Sequence, residues 1–212
     1  MRASAARKRW PPRDLARRPL PLVSFAGTLY RISPLQHMTP PHSPLYFGTD
    51  STYRFNPPPR ARGAFGVLYV AEDLYGAVAE TMARGRHAPN AVTWQFLALR
   101  GLVTVETTRP LLLIDLISDA SVPLGLEGGV MMGHDYTLSQ TWSYRLWQHP
   151  HPGQPAPDGL LYLARHAPQH RSIAIWDRAR DALIWQSLGS LIEPDNQVRL
   201  KPVFTAFGFT VI

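Results

Sequence analysis

Residues 65–84 read FGVLYVAEDLYGAVAETMAR. The first seven, Phe65–Ala71, are apolar, aromatic and β-branched, the composition of a strand with buried faces. Asp73 then stands where a side chain can cap the free amides of a starting helix, and Gly85 stands where a helix closes. The stretch therefore predicts a strand followed by a helix running to about Arg84. On that helix Leu74, Ala77, Val78 and Thr81 share one side, which leaves Glu80 off the most apolar stripe.

Working outward, Ala91–Leu99, Leu102–Glu106 and Leu111–Leu116 have strand composition. The helical spacing of Leu138, Trp142 and Leu146 predicts a second helix over Asp135–Trp147, capped by Asp135 or Thr137. Short, mostly strand-like stretches follow at Gly159–Ala164, Ser172–Asp177, Leu183–Gln186 and Val203–Ile212. Upstream, Thr28–Ile32 reads as a short strand that stops at Pro34. The polar, proline-rich segment Ser33–Arg62 is long for a plain loop, and its aromatics Tyr46, Phe47, Tyr53 and Phe55 argue for order. Many strands, two clear helices, no repeat and no regular βαβ alternation predict an α+β domain of mixed sheets.

A chain of 212 residues is long enough for one well-buried domain. The absence of cysteine excludes disulfide frameworks, thiolate zinc sites, iron–sulfur clusters and a cysteine nucleophile. The longest nearly unbroken apolar run, Leu111–Ile117, contains Asp115 and falls far short of the roughly 20 residues of a membrane helix, so a soluble, cytoplasmic protein without membrane contact is expected. The formal charge of +7 is unevenly placed. Residues 1–18 hold Arg2, Arg7, Lys8, Arg9, Arg13, Arg17 and Arg18 against Asp14, seven minus one, or +6, which leaves +1 for the rest. Residues 1–18 are thus expected to form a basic, disordered tail and residues 19–212 a single domain, with no direct nucleic-acid binding. Two prolines shorten the apolar run Leu20–Ala26, so a cleaved export signal is not expected.

The chain has no G-x-x-x-x-G-K-[ST], G-x-G-x-x-G, H-E-x-x-H or G-x-S-x-G, so phosphate loops, zincins and serine-hydrolase elbows lack support. His149 and His151, in HPHP, have no nearby carboxylate partner and read as loop residues; no metal site is expected. What remains is a combination: Tyr30-Arg31 on a strand, Arg54-Phe55 before a proline cluster, Tyr69 on the FGVLYVA strand, and Glu80 on the following helix. Each alone has an ordinary explanation, as a surface charge or a core aromatic.

The order Leu29-Tyr30-Arg31, Tyr53-Arg54-Phe55-Asn56-Pro57, Val67–Ala71, Ala77–Glu80, Asp135-Tyr136, Gln140–Trp142, Asp158–Tyr162 and Ile173–Arg178 resembles the RES-domain family, toxins of RES–Xre toxin–antitoxin systems, over most of residues 28–180. The family's name records an Arg, a Glu and a Ser. Arg31 and Glu80 match the first two. The serine lies in a segment like D-G-x-x-Y-x-S-R-H, whose counterpart Asp158–His166 reads DGLLYLARH, so Ala164 occupies its place.

The resemblance implies an ADP-ribosyltransferase-like α+β fold, with split sheets and a few helices around an NAD cleft. It implies a toxin that cleaves the nicotinamide–ribose bond as a glycohydrolase or phosphorylase; a protein ADP-ribosyltransferase and a catalytically lapsed binding domain are the alternatives. NAD is then substrate and no cofactor is needed. A cognate Xre-type helix-turn-helix antitoxin is the implied partner, with inorganic phosphate or a target protein as acceptor. Arg31, Glu80 and Tyr69 would be catalytic, and Tyr30, Arg54 and Ala164 would contact substrate. The chemistry suits these types: a carboxylate stabilises the cation that grows on the ribose, arginine forks suit a pyrophosphate, and a phenol ring can stack on nicotinamide.

Overall fold

The computed structural model describes residues 10–38, 42–83, 91–126, 130, 132–133, 136–151, 153 and 155–212. Its strands are β1 (Leu22–Phe25), β2 (Thr28–Pro34), β3 (Val67–Ala71), β4 (Ala91–Val92), β5 (Arg100–Thr107), β6 (Leu111–Asp115), β7 (Gly159–Ala164), β8 (Ala167–Trp176), β9 (Leu183–Ser190) and β10 (Thr210–Val211). The α-helices with described bounds are α1 (Leu74–Met82), α2 (Trp94–Ala98), α3 (Tyr136–Trp147) and α4 (Pro194–Phe207). Eight strands form one mixed sheet in the order β1-β6-β7-β8-β3-β2-β5-β9, and β10 pairs with β4 beside it. Only β6 and β7 run parallel within the large sheet.

The join between β2 and β3 is weak. They share the single pair Tyr30↔Ala71, whereas β2 meets β5 over seven pairs and β3 meets β8 over five. The sheet is therefore split into a five-strand half and a three-strand half that diverge on either side of one ladder rung. α3 covers the larger half through Leu138, Trp142 and Leu146, packed with Phe55, Phe65, Tyr162 and Trp176. On the smaller half, Ile32 and Leu102 pack against α1, α2 and α4 through Val78, Met82, Leu97, Leu200, Val203 and Phe204.

Asp73 caps α1 as its position predicts, with Oδ1 accepting from the Gly76 amide at 2.7 Å. Arg84, Gly85 and Asp135 lie outside the described residues. Two expected strands are mostly helix. Ala91–Leu99 contributes only Ala91–Val92 to a strand, because Thr93 Oγ1 accepts from the Phe96 amide at 3.1 Å and starts α2. Within Val203–Ile212, α4 continues to Phe207 and stops at Gly208, whose φ of 64° lies in the left-handed region; only Thr210–Val211 is strand. The spacing of Leu200, Val203, Phe204 and Phe207 is helical and meets the α1–α2 core, which outweighs the aromatic and β-branched composition.

Part of the expected tail is packed. Residues 1–9 lie outside the description, but Leu15 is buried, Arg18 Nη1 donates to the Pro123 carbonyl at 2.8 Å, and His149 Nε2 lies 3.1 and 3.0 Å from the Leu15 and Arg18 carbonyl oxygens. Two acceptors at one ring nitrogen place the proton there, so this histidine fastens residues 10–18 to the body. Among the described residues no helix is long and apolar enough to cross a membrane.

Candidate functional site

A cleft of about 300 Å³ opens at the divergence of β2 and β3, lined by Tyr30, Arg31, Tyr53, Tyr69, Ala71 and Glu80 among others. The split produces both the room and an unfilled acceptor. On one side β3 is laddered to β8, and on the other the Tyr69 carbonyl receives Arg31 Nη1 at 2.7 Å. Arg31 thus bridges the two strands with its side chain close to where backbone pairing lapses. Its Nε is buried with no partner, and among the described residues no carboxylate pairs with it. Burial pushes its pKa down to about 10, against an opposing influence from Tyr53, so the guanidinium stays charged at neutral pH.

Glu80 reaches the cleft from α1, and its Oε1 accepts from the Arg165 amide at 2.9 Å in the turn between β7 and β8. The preceding Ala79 packs on Ala164 and Ala167, which seats this part of α1 against that turn. Tyr69 is tied differently. Its hydroxyl accepts from the Phe55 amide at 2.9 Å and donates to Asn56 Oδ1 at 3.0 Å. Its ring meets Tyr53 edge-on, centroids 5.8 Å apart.

Tyr30, Arg31, Tyr69 and Glu80 are brought together on one cleft; Arg54 and Ala164 are not among its lining residues. Arg54 is only 2% exposed, with its guanidinium 5.7 and 5.6 Å from the Phe55 and Tyr162 ring centres and with Nε and Nη1 lacking partners. Ala164 is wholly buried in the alanine cluster behind Glu80. Tyr53 and Asn56, beside Arg54 in sequence, do more for the cleft than sequence alone suggests, and their place in the YRFN run was the available signal.

Other segments of the RES-like pattern hold the scaffold. Asp158 takes two hydrogen bonds from Arg109, at 2.8 and 2.9 Å, and one from the Leu112 amide at 2.8 Å. Asp177 Oδ2 accepts from the Gly66 amide at 2.9 Å. Arg178 lies between Trp147 and Trp176, 5.2 and 5.3 Å from their rings.

A cation, a carboxylate and several phenol rings in one partly enclosed cleft suit a ligand that joins a planar ring to an anionic group. Comparison with known proteins adds a family and a fold. The family model described as RES domain matches residues 28–190. A protein of Sinorhizobium fredii (strain NBRC 101917 / NGR234) named "Probable toxin y4kH" is 32% identical over 95 residues, 45% of this chain and 71% of that protein. Among solved structures, the crystal structure of the M.tuberculosis MbcT-MbcA toxin-antitoxin complex contains a chain similar in fold, with a TM-score of 0.57 and 18% identity, covering 79% of this chain and 86% of that one.

Proposed function

The chain belongs to the RES-domain family, and from that premise we propose that it is the toxin of a toxin–antitoxin pair and consumes NAD by cleaving its nicotinamide–ribose bond. The observation that carries this reading is Arg31: a half-buried, charged guanidinium with its Nε sealed from solvent and without a described carboxylate partner, on the same cleft as Glu80 and four tyrosines. A site that holds a cation uncompensated is prepared for an anion, and the pyrophosphate of a dinucleotide is one. Glu80 would stabilise positive charge on the ribose, and the rings of Tyr69 and Tyr53 would receive the nicotinamide. Arg54 would serve the phosphates after a local shift that uncovers it. NAD is the substrate and no further cofactor is required. The partner would be an Xre-type helix-turn-helix antitoxin, and the acceptor of the ADP-ribose group water, inorganic phosphate or a target protein.

A second reading is favoured by Ala164. Fully buried with Ala79 and Ala167 next to the Glu80 anchor, it offers no hydroxyl, and a lapsed domain that only binds would fit. Loss of one neutral hydrogen bond costs about 0.5–1.5 kcal/mol, at most roughly tenfold in rate, so an active enzyme is the better reading. Nicotinamide release from NAD, with and without phosphate, tests both. The parent should release nicotinamide and Glu80→Gln should slow release by about 100-fold or more. A silent parent restored by Ala164→Ser would establish the lapsed domain instead.

A further inference from the structure

The segment between β2 and β3 contains a run of hydrogen bonds that the proposed chemistry leaves without a task. Tyr69 donates to Asn56 Oδ1 at 3.0 Å, and Asn56 Nδ2 donates to Asp50 Oδ1 at 3.0 Å. Asp50 Oδ1 also accepts from the Thr52 amide at 3.0 Å, and these bonds hold its carboxyl below the usual range. Asn56 is completely buried and is not a lining residue of the cleft. Its amide has one workable orientation, because the Asp50 carboxylate can only accept.

The same segment is fastened independently from the other side. Gln140 Nε2 on α3 donates to the Ser51 and Tyr53 carbonyls at 2.8 and 3.0 Å, and Ser143 Oγ donates to the Phe55 carbonyl at 2.7 Å. The α3 contacts hold the backbone of the loop. The Asn56 contacts tie that loop to the Tyr69 hydroxyl, and so fix where the Tyr69 ring stands relative to Tyr53.

We propose that Asn56 is a positioning residue: linking Asp50 to Tyr69, it sets the spacing and tilt of the Tyr53 and Tyr69 rings and thereby the cleft's affinity for the planar ring of its ligand. The proposal rests on the NAD-cleaving reading of the cleft. Its distinctive consequence is that donor and acceptor can be exchanged. Asn56→Asp places two carboxylates at hydrogen-bond distance and removes the donor. Asp50→Asn combined with Asn56→Asp restores the link between 50 and 56, the amide now at 50 donating to the carboxylate at 56, whose other oxygen still accepts from Tyr69. It gives up the Thr52 amide bond that the same oxygen of Asp50 accepts.

The test compares the parent, Asn56→Asp and the double variant by KM and kcat for nicotinamide release, by calorimetric Kd for NAD, and by amide exchange at Phe55. Asn56→Asp should raise KM and Kd about five- to tenfold, the worth of roughly one hydrogen bond, with kcat within about twofold and faster Phe55 exchange. The double variant should recover most of the loss, with KM and Kd within about threefold of the parent, the remainder reflecting the lost Thr52 bond. Unchanged KM and Kd in Asn56→Asp, or a folded double variant still about fivefold or more weaker than the parent, would overturn the proposal. Should Asn56→Asp fail to fold, the double variant decides alone. A parent that binds NAD but releases no nicotinamide overturns the reaction reading only; a Kd indifferent to Asn56 alongside release abolished by Glu80→Gln overturns this proposal only.

Discussion

Arg31 is costly for the fold, and in the proposed reading that cost serves a ligand. Its folded pKa of about 10 lies below that of the open chain, so between the two the unfolded chain binds more protons. Stability from this group therefore rises with pH through that window, and the full penalty of the buried charge is present below it. Arg31→Met removes the charge and leaves the Tyr69 carbonyl without its donor, two effects of opposite sign. The variant is expected to stay within about 1 kcal/mol of the parent in thermal unfolding while NAD binding falls roughly 100-fold by calorimetry. A loss of several kcal/mol in stability would instead make Arg31 a structural residue. From the sequence Arg31, Glu80, Tyr30 and Tyr69 could be named as a set, because their order resembles a family pattern. The commitment of the Tyr69 hydroxyl to Asn56, and the burial of Arg54, depend on a loop that crosses from elsewhere in the chain.

Among the elements, the start of β7 explains why an Asp-Gly pair stands there. Asp158 ties the strand to Arg109 and Leu112, and a Cβ on Gly159 would collide with the Ala174 carbonyl of β8. Gly159→Ala should cost about 1–3 kcal/mol in urea unfolding, with no direct effect on the cleft. Strand β3 and helix α1 were legible locally, since an apolar, β-branched run, an N-cap and an apolar stripe all lie within a few residues. Helices α2 and α4 were not, because aromatic and β-branched residues favour strands on average. Their helical state is set by the core that Leu97, Val203 and Phe204 enter.

At the scale of the molecule, the cleft exists because the two halves of the sheet meet at one rung. Residues 10–18 help hold the larger half, with Leu15 in the same core as Trp142 and Leu146 of α3, the helix that also anchors the cleft loop. Leu15→Ala is expected to lower stability by about 2–5 kcal/mol, measured by thermal or urea unfolding, as for a fully buried leucine. A solvated tail would predict no change.

The sequence by itself determined the α+β class, the capped strand–helix unit of β3 and α1, the charge asymmetry and the residues resembling a RES site, because each is a matter of local spacing or order along the chain. The tertiary structure decided the single-rung seam, the half-buried setting of Arg31 without a described carboxylate beside it, the removal of Arg54 and Ala164 from the cleft wall, and the Asp50–Asn56–Tyr69 chain. Those depend on which distant segments meet and on what is left unpaired when they do, and neither strand register nor desolvation is written in any one stretch of residues.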